Sequence, residues 1–254
     1  MVSLPKTFIA GAALLLSTTA MSSAQDADSL RHRVLQMSHA TRINEPWEKP
    51  WHMRVSFQLY DEKGKASESG ELEEWWAGLQ LWKITIQSPS YSGTTLENQD
   101  GDFRTKTAGL IPVRIRALEA DLVYPAPMTE DLGAMTPHLH HVQSESSELD
   151  CIQLTQPVPP GIPIYFANYC LDSKDDSLKE IYSDKPWRMI RSQLTSFRGQ
   201  SVAFSIKIQA GKRITESADI ENLTDLVVES GLFSPTSDMT GVTDLHRIRV
   251  VRVP

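Results

Sequence analysis

A chain of 254 residues with a formal net charge of −7 has room for one large all-β domain or two small ones. Its 40% hydrophobic and 22% charged content is that of a globular protein and argues against global disorder. The acidic balance argues against general nucleic-acid binding, which needs a basic patch or stripe, and gives no reason for adhesion to anionic lipid; a local basic site is a separate question.

The first residues have the pattern of a secretory signal peptide, expected to span residues 1–24. Lys6 is a lone positive charge, Phe8 to Leu16 is a short apolar run, and Ser22-Ser23-Ala24 is a small-x-small cleavage site. The alternative, an uncleaved anchor, needs roughly 20 apolar residues, and the run is well short of that. No cysteine near the site offers a lipid attachment point. Cleavage after Ala24 removes Lys6, takes the net charge to one unit more negative, and delivers a periplasmic chain without a transmembrane segment.

After the leader, Leu30, Val34 and Met37 recur at helical spacing behind Asp28 and Ser29, which predicts a short amphipathic helix to about Ala40. Pro46 and Pro50 end it. Trp51 to Tyr60 then alternates strictly: Trp51, Met53, Val55, Phe57 and Leu59 on one face, His52, Arg54, Ser56 and Gln58 on the other. That is a strand with one dry side. Through Thr105, further strands follow at short intervals (70–76, 79–88, 91–98 and 103–105), so the segment reads as five antiparallel strands. Trp82, Ile84 and Ile86 share a face of the third. Ile111, Ile115, Leu118 and Leu122 return to helical spacing, with Pro112 at the start and Pro125 as the stop. A further helical turn is expected over Thr129–Met135.

Strands resume over Cys151–Thr155, Ile162–Leu171, Arg188–Phe197 and Ser201–Gln209, the last with Val202, Phe204, Ile206 and Ile208 in alternation. A final strand is expected over Lys212–Glu216, then a capped turn or short helix over Asp219–Leu226. The basic tail, His246 to Pro254, reads as an edge strand or a tether. The two cysteines, Cys151 and Cys170, are expected to be joined, as a lone pair in an exported chain usually is. A redox dithiol or a metal pair is the alternative, but the spacing is not Cys-x-x-Cys and no third cysteine completes a thiolate site.

The run from Pro50-Trp51-His52-Met53-Arg54 to Asp61-Glu62-Lys63-Gly64-Lys65, then Glu74-Trp75-Trp76-Ala77-Gly78, resembles exported acidobacterial proteins often labelled TonB-like energy transducers. Leu149-Asp150-Cys151-Ile152, Tyr169-Cys170-Leu171-Asp172 and Gly231-Leu232-Phe233-Ser234-Pro235 extend the likeness. Their N-terminal region is similar to the LolA and LolB lipoprotein-carrier fold. The resemblance implies an α+β, mainly β architecture: a strongly curved antiparallel sheet, an unclosed barrel, wrapped over short helices. It implies one half-barrel domain over residues 25–239 and a tail over 240–254. The TonB-type C-terminal domain and its Pro-rich spacer are absent, so energy transduction is not carried over.

Such a hollow either fills itself or shelters an apolar ligand. Trp51, Met53, Val55, Phe57, Trp82, Ile84, Phe204 and Ile206 are the candidate lining, with ordinary core packing as the competing reading. The expected function is that of a periplasmic, non-enzymatic carrier for an acyl chain or a lipidated protein. The alternative is an envelope scaffold with a filled barrel that meets a protein partner. No cofactor is implied. His138, His140 and His141 form the one metal-like cluster, but a zinc site needs three or four ligands, and only Glu145, Glu148 and Asp150 are at hand. Glu71, Glu73 and Glu74 beside Trp75-Trp76 are compatible with a sugar site, but a charged outer strand face accounts for them equally well.

Overall fold

The computed structural model describes residues 16–243 except 46, 127–131, 133–134, 145–147, 156–165 and 184–186. The described part begins with helix α1 (Leu16–Thr41), which starts earlier than the expected Ser29 and runs unbroken past Ala24. It buries Val34 and Met37, with Leu30 packed against the same core. β1 (Trp51–Tyr60) has the expected bounds and buries Trp51, Met53, Val55, Phe57 and Leu59. β2 (Ala66–Gly78), β3 (Leu81–Gln87), β4 (Ser92–Asn98) and β5 (Gly101–Thr105) complete the meander. α2 (Val113–Val123) follows Pro112, whose fixed φ suits a helix entry and whose missing N–H costs the first turn nothing.

β6 (Thr136–Gln143), β7 (Glu148–Thr155), β8 (Phe166–Asp172) and β9 (Leu178–Ser183) lead into β10 (Trp187–Phe197) and β11 (Gln200–Ala210). β12 (Arg213–Asp225) and the short β13 (Met239–Val242) are the last described strands in chain order. All 13 described strands join one antiparallel sheet in the order β13-β5-β4-β3-β2-β1-β12-β11-β10-β9-β8-β7-β6. Among the described residues β13 and β6 are its two edges, and the sheet does not close into a barrel.

One expectation is corrected here: Asp219–Leu226 is neither a turn nor a helix, because residues 219–225 belong to β12. The ladder with β1 decides it, pairing Met53 with Leu223 and Val55 with Ile220 across a bulge. A local capping signal gives way to main-chain pairing with β1, which runs on to Asp225 after the β11 ladder has ended at Asp219. The helical turn expected at Thr129–Met135 falls largely outside the described residues, as does the tail beyond Thr243.

Cys151 and Cys170 face each other directly across β7 and β8 and form a disulfide of S–S 2.05 Å. No described helix is long and apolar enough to cross a membrane, a statement that does not extend to β-barrels.

Candidate functional site

Both helices lie on the same side of the sheet. α1 packs on β6 and β11, and α2 on β11 and β12. The face beneath them is built in cross-strand rows. Trp51, Trp76 and Trp82 are register partners across β1, β2 and β3, so three indoles fill one row at the rim. Trp51 and Trp76 stack with centroids 5.9 Å apart, and Trp51 Nε1 donates to the Ile43 carbonyl at 2.6 Å. Trp82 Nε1 donates to Glu97 Oε2 at 2.5 Å. Each buried indole nitrogen with such a partner avoids the cost of an unmet donor. Deeper along the face, Arg191, Ile206, Ala218, Phe57 and Gly70 form a second row from β10 to β2.

Seven of the eight expected lining residues are buried on this face, and Phe204 is half-buried against the same cluster. β12 and β2 separate the β11 and β3 members from β1, so the eight belong to one surface and not to one tight cluster. Val34 and Met37 of α1 and Ile115, Leu118 and Leu122 of α2 cover it. Trp51, Met53 and Ile206 are 0% exposed, so no water-sized void touches them.

Polar groups hold the covers down. Arg114 of α2 donates to Glu216 of β12 at 3.1 Å and to the carbonyls of Tyr60 and Thr215. Arg42, just after α1, donates to the Ala126 carbonyl at 2.9 Å. Arg33 of α1 bridges Asp150 of β7 and Asp176. Burial alone would raise the Asp150 carboxyl, but hydrogen bonds from Arg33 and His141 outweigh it and hold the group below the usual carboxylate range.

Sequence reading missed two charged residues on the inner face. Glu74 stands in the row between Met53 and Ile84 and is fully buried. Arg191 stands between Ile206 and α2 and is 3% exposed. The available signal was parity: Glu74 shares it with Leu72 and Trp76, and Arg191 with Met189.

The other polar candidates disperse. Glu73 is on the outer face, within 2.7 Å of His52 Nε2 and 3.2 Å of Arg54, and Glu71 is exposed beside it on the same face. His140 meets the Tyr182 hydroxyl at 2.7 Å, His141 meets Asp150 at 2.8 Å from the opposite face of β6, and His138 is exposed. Among the described residues, no three His, Cys, Asp or Glu stand where they would hold a metal ion.

Neither a protein-family model nor a curated protein matches the sequence. Solved structures do match the fold. A LolA superfamily protein from Nitrosomonas europaea superposes with a TM-score of 0.51 over 82% of this chain and 97% of its own, at 11% identity. The fold is LolA-like. A DUF1329 family protein from Desulfovibrio piger aligns at 10% identity and a TM-score of 0.44, over 81% of this chain and 95% of that one.

Proposed function

We propose that the protein is a non-enzymatic carrier or binding module of the cell envelope, whose concave face takes an acyl chain or a lipidated segment when a helix lifts. The observation that carries this reading is the way the face is covered. A mainly apolar surface from β3 to β11, interrupted by Glu74, is closed by two separate helices and not by a second sheet. The α2 cover is fastened by Arg114, half-exposed at its edge, and by the buried Arg191 beneath it, contacts that can be exchanged without breaking a strand ladder. Each methylene moved from water to such a surface gains about 0.8 kcal/mol, so a chain of ordinary length offsets the uncovering of α2. The LolA-like fold supports the same reading by analogy.

Lipid extraction and native mass spectrometry of the purified exported protein test it. Bound lipid, or uptake of an added fatty acyl probe, is expected; a protein that neither carries nor takes up any apolar molecule overturns it. Intact-mass analysis of the same sample checks export, since cleavage after Ala24 leaves Gln25 as the first residue and removes the first turns of α1.

The filled interior favours a second reading, an envelope scaffold related to TonB-system accessory proteins that meets a partner through its tail. Deleting residues 246–254 then abolishes capture of the partner while the fold survives. Unchanged capture removes this reading.

A further inference from the structure

Arg191 is a cation in an otherwise apolar row. Its cross-strand neighbour is Ile206, and Met189 lies two positions away on the same face. Its hydrogen bonds go to two main-chain carbonyls: Nη1 donates to Asp121 of α2 at 3.3 Å, and Nη2 to Ser201 at 3.4 Å. Both are long for a charged donor, which prefers about 2.7–2.9 Å. The buried Nε–H has no hydrogen-bond partner among the described residues. A guanidinium carries five donors in a planar fork shaped for a carboxylate or phosphate, so this one is under-used where it sits. Burial lowers its pKa to about 10 against the opposing pull of Asp121, which leaves it charged at neutral pH.

We propose that Arg191 is the headgroup anchor of the concave site, and that the ligand is an amphiphile with one anionic end, a carboxylate or a phosphate. This rests on the carrier reading and deepens it. When α2 lifts, the Asp121 carbonyl leaves with it and Arg191 loses an acceptor. A neutral apolar ligand leaves that loss in place. An anionic one replaces the carbonyl with a stronger acceptor and can also satisfy Nε–H. A ligand shifts an equilibrium only by its differential affinity for the two states, so the anion selects the open form. From Arg191 the row through Ile206, Ala218 and Phe57 runs four strand spacings to Gly70, about 19 Å. That length accommodates a long-chain tail extended across the sheet.

The test uses the purified full mature chain at neutral pH and three probes of equal chain length: laurate, dodecyl phosphate and dodecanol. Each competes against an apolar fluorophore bound to the protein. The two anions are expected to displace it at about tenfold lower concentration than dodecanol, the worth of one charge-assisted hydrogen bond. Whichever anion is stronger identifies a carboxylate or a phosphate as the preferred end. Arg191→Met is expected to erase the difference while dodecanol still displaces, and Arg191→Lys to retain part of it. If the methionine variant does not fold, the wild-type ratio and the lysine variant decide. Equal displacement by all three probes in the wild type, or an anion preference that survives Arg191→Met, overturns the proposal and leaves the carrier reading intact. Failure of all three to displace, with no uptake of the fluorophore, overturns both.

Discussion

At the scale of single residues, Trp51 joins three roles: it opens β1, stacks on Trp76 and donates to the Ile43 carbonyl from a site with no exposed surface. Trp51→Phe keeps much of the packing and leaves that carbonyl unmet, so a loss of about 1–3 kcal/mol is expected in urea unfolding. Gly70 is fixed by its neighbours: an added Cβ would lie 2.5 Å from Phe57 Cζ and 2.6 Å from the Gln87 carbonyl oxygen. Since a main-chain oxygen cannot step aside, Gly70→Ala should destabilise by about 1–3 kcal/mol. Asp150 contributes a pH dependence. A depressed carboxyl stabilises the folded state while ionised, so its contribution is present above the unfolded value of 3.8 and fades as pH falls through the lower folded value. At pH 6 the wild type should exceed Asp150→Asn by about 1 kcal/mol, and the gap should close in acid below 3.8. A gap unaltered by acid would break the assignment. Residue-level legibility divides by chemistry. The apolar members of the inner face could be read because alternation marks them. Glu74 and Arg191 share that parity, yet their charge points a reader of the sequence toward solvent.

At the scale of elements, β1 announced itself by one dry and one wetter side, and β11 by the alternation of Val202, Phe204, Ile206 and Ile208, although its other face also buries Ala203 and Ser205. β6 is absent from the expected strands, because as an edge strand it exposes His138, Leu139 and His141 and so carries no clean pattern. β9 has only six residues, and it was overlooked between polar turns. β12 is rich in Glu, Asp, Asn and Thr; its strand state comes from partners far away in sequence, which no local window contains. The Cys151–Cys170 bridge was legible from a lone cysteine pair, the expected export and a spacing that is not Cys-x-x-Cys. It ties β7 to β8 across a loop of 19 residues' separation. Replacing both cysteines with serine should lower stability by about 3 kcal/mol in the chain-entropy account. A thermal shift matched by reduction of the wild type would support this, and an unchanged melting temperature would count against it.

For the whole molecule, the strand order carries a consequence for how the chain acquires its shape. Every pairing joins sequence neighbours except β13 with β5 and β1 with β12. Two meanders, β1–β5 and β6–β12, can therefore zip up from local turns, while the β1–β12 seam must unite opposite ends of the sequence. Non-local pairing is slow because loop closure precedes its reward. Refolding should thus show a late phase that Leu223→Ala in the seam slows, whereas Ile152→Ala, whose partners in β6 and β8 are already paired before that phase, should leave the unfolding rate nearly unchanged; an unfolding rate raised by Ile152→Ala as much as by Leu223→Ala would refute the sequence of events. Until the seam shuts, each half-sheet presents a raw ladder edge next to uncovered tryptophan and phenylalanine. Two such halves from different molecules can marry as readily as two from one, so crowding during maturation, more than the final stability, sets how much usable protein the cell recovers.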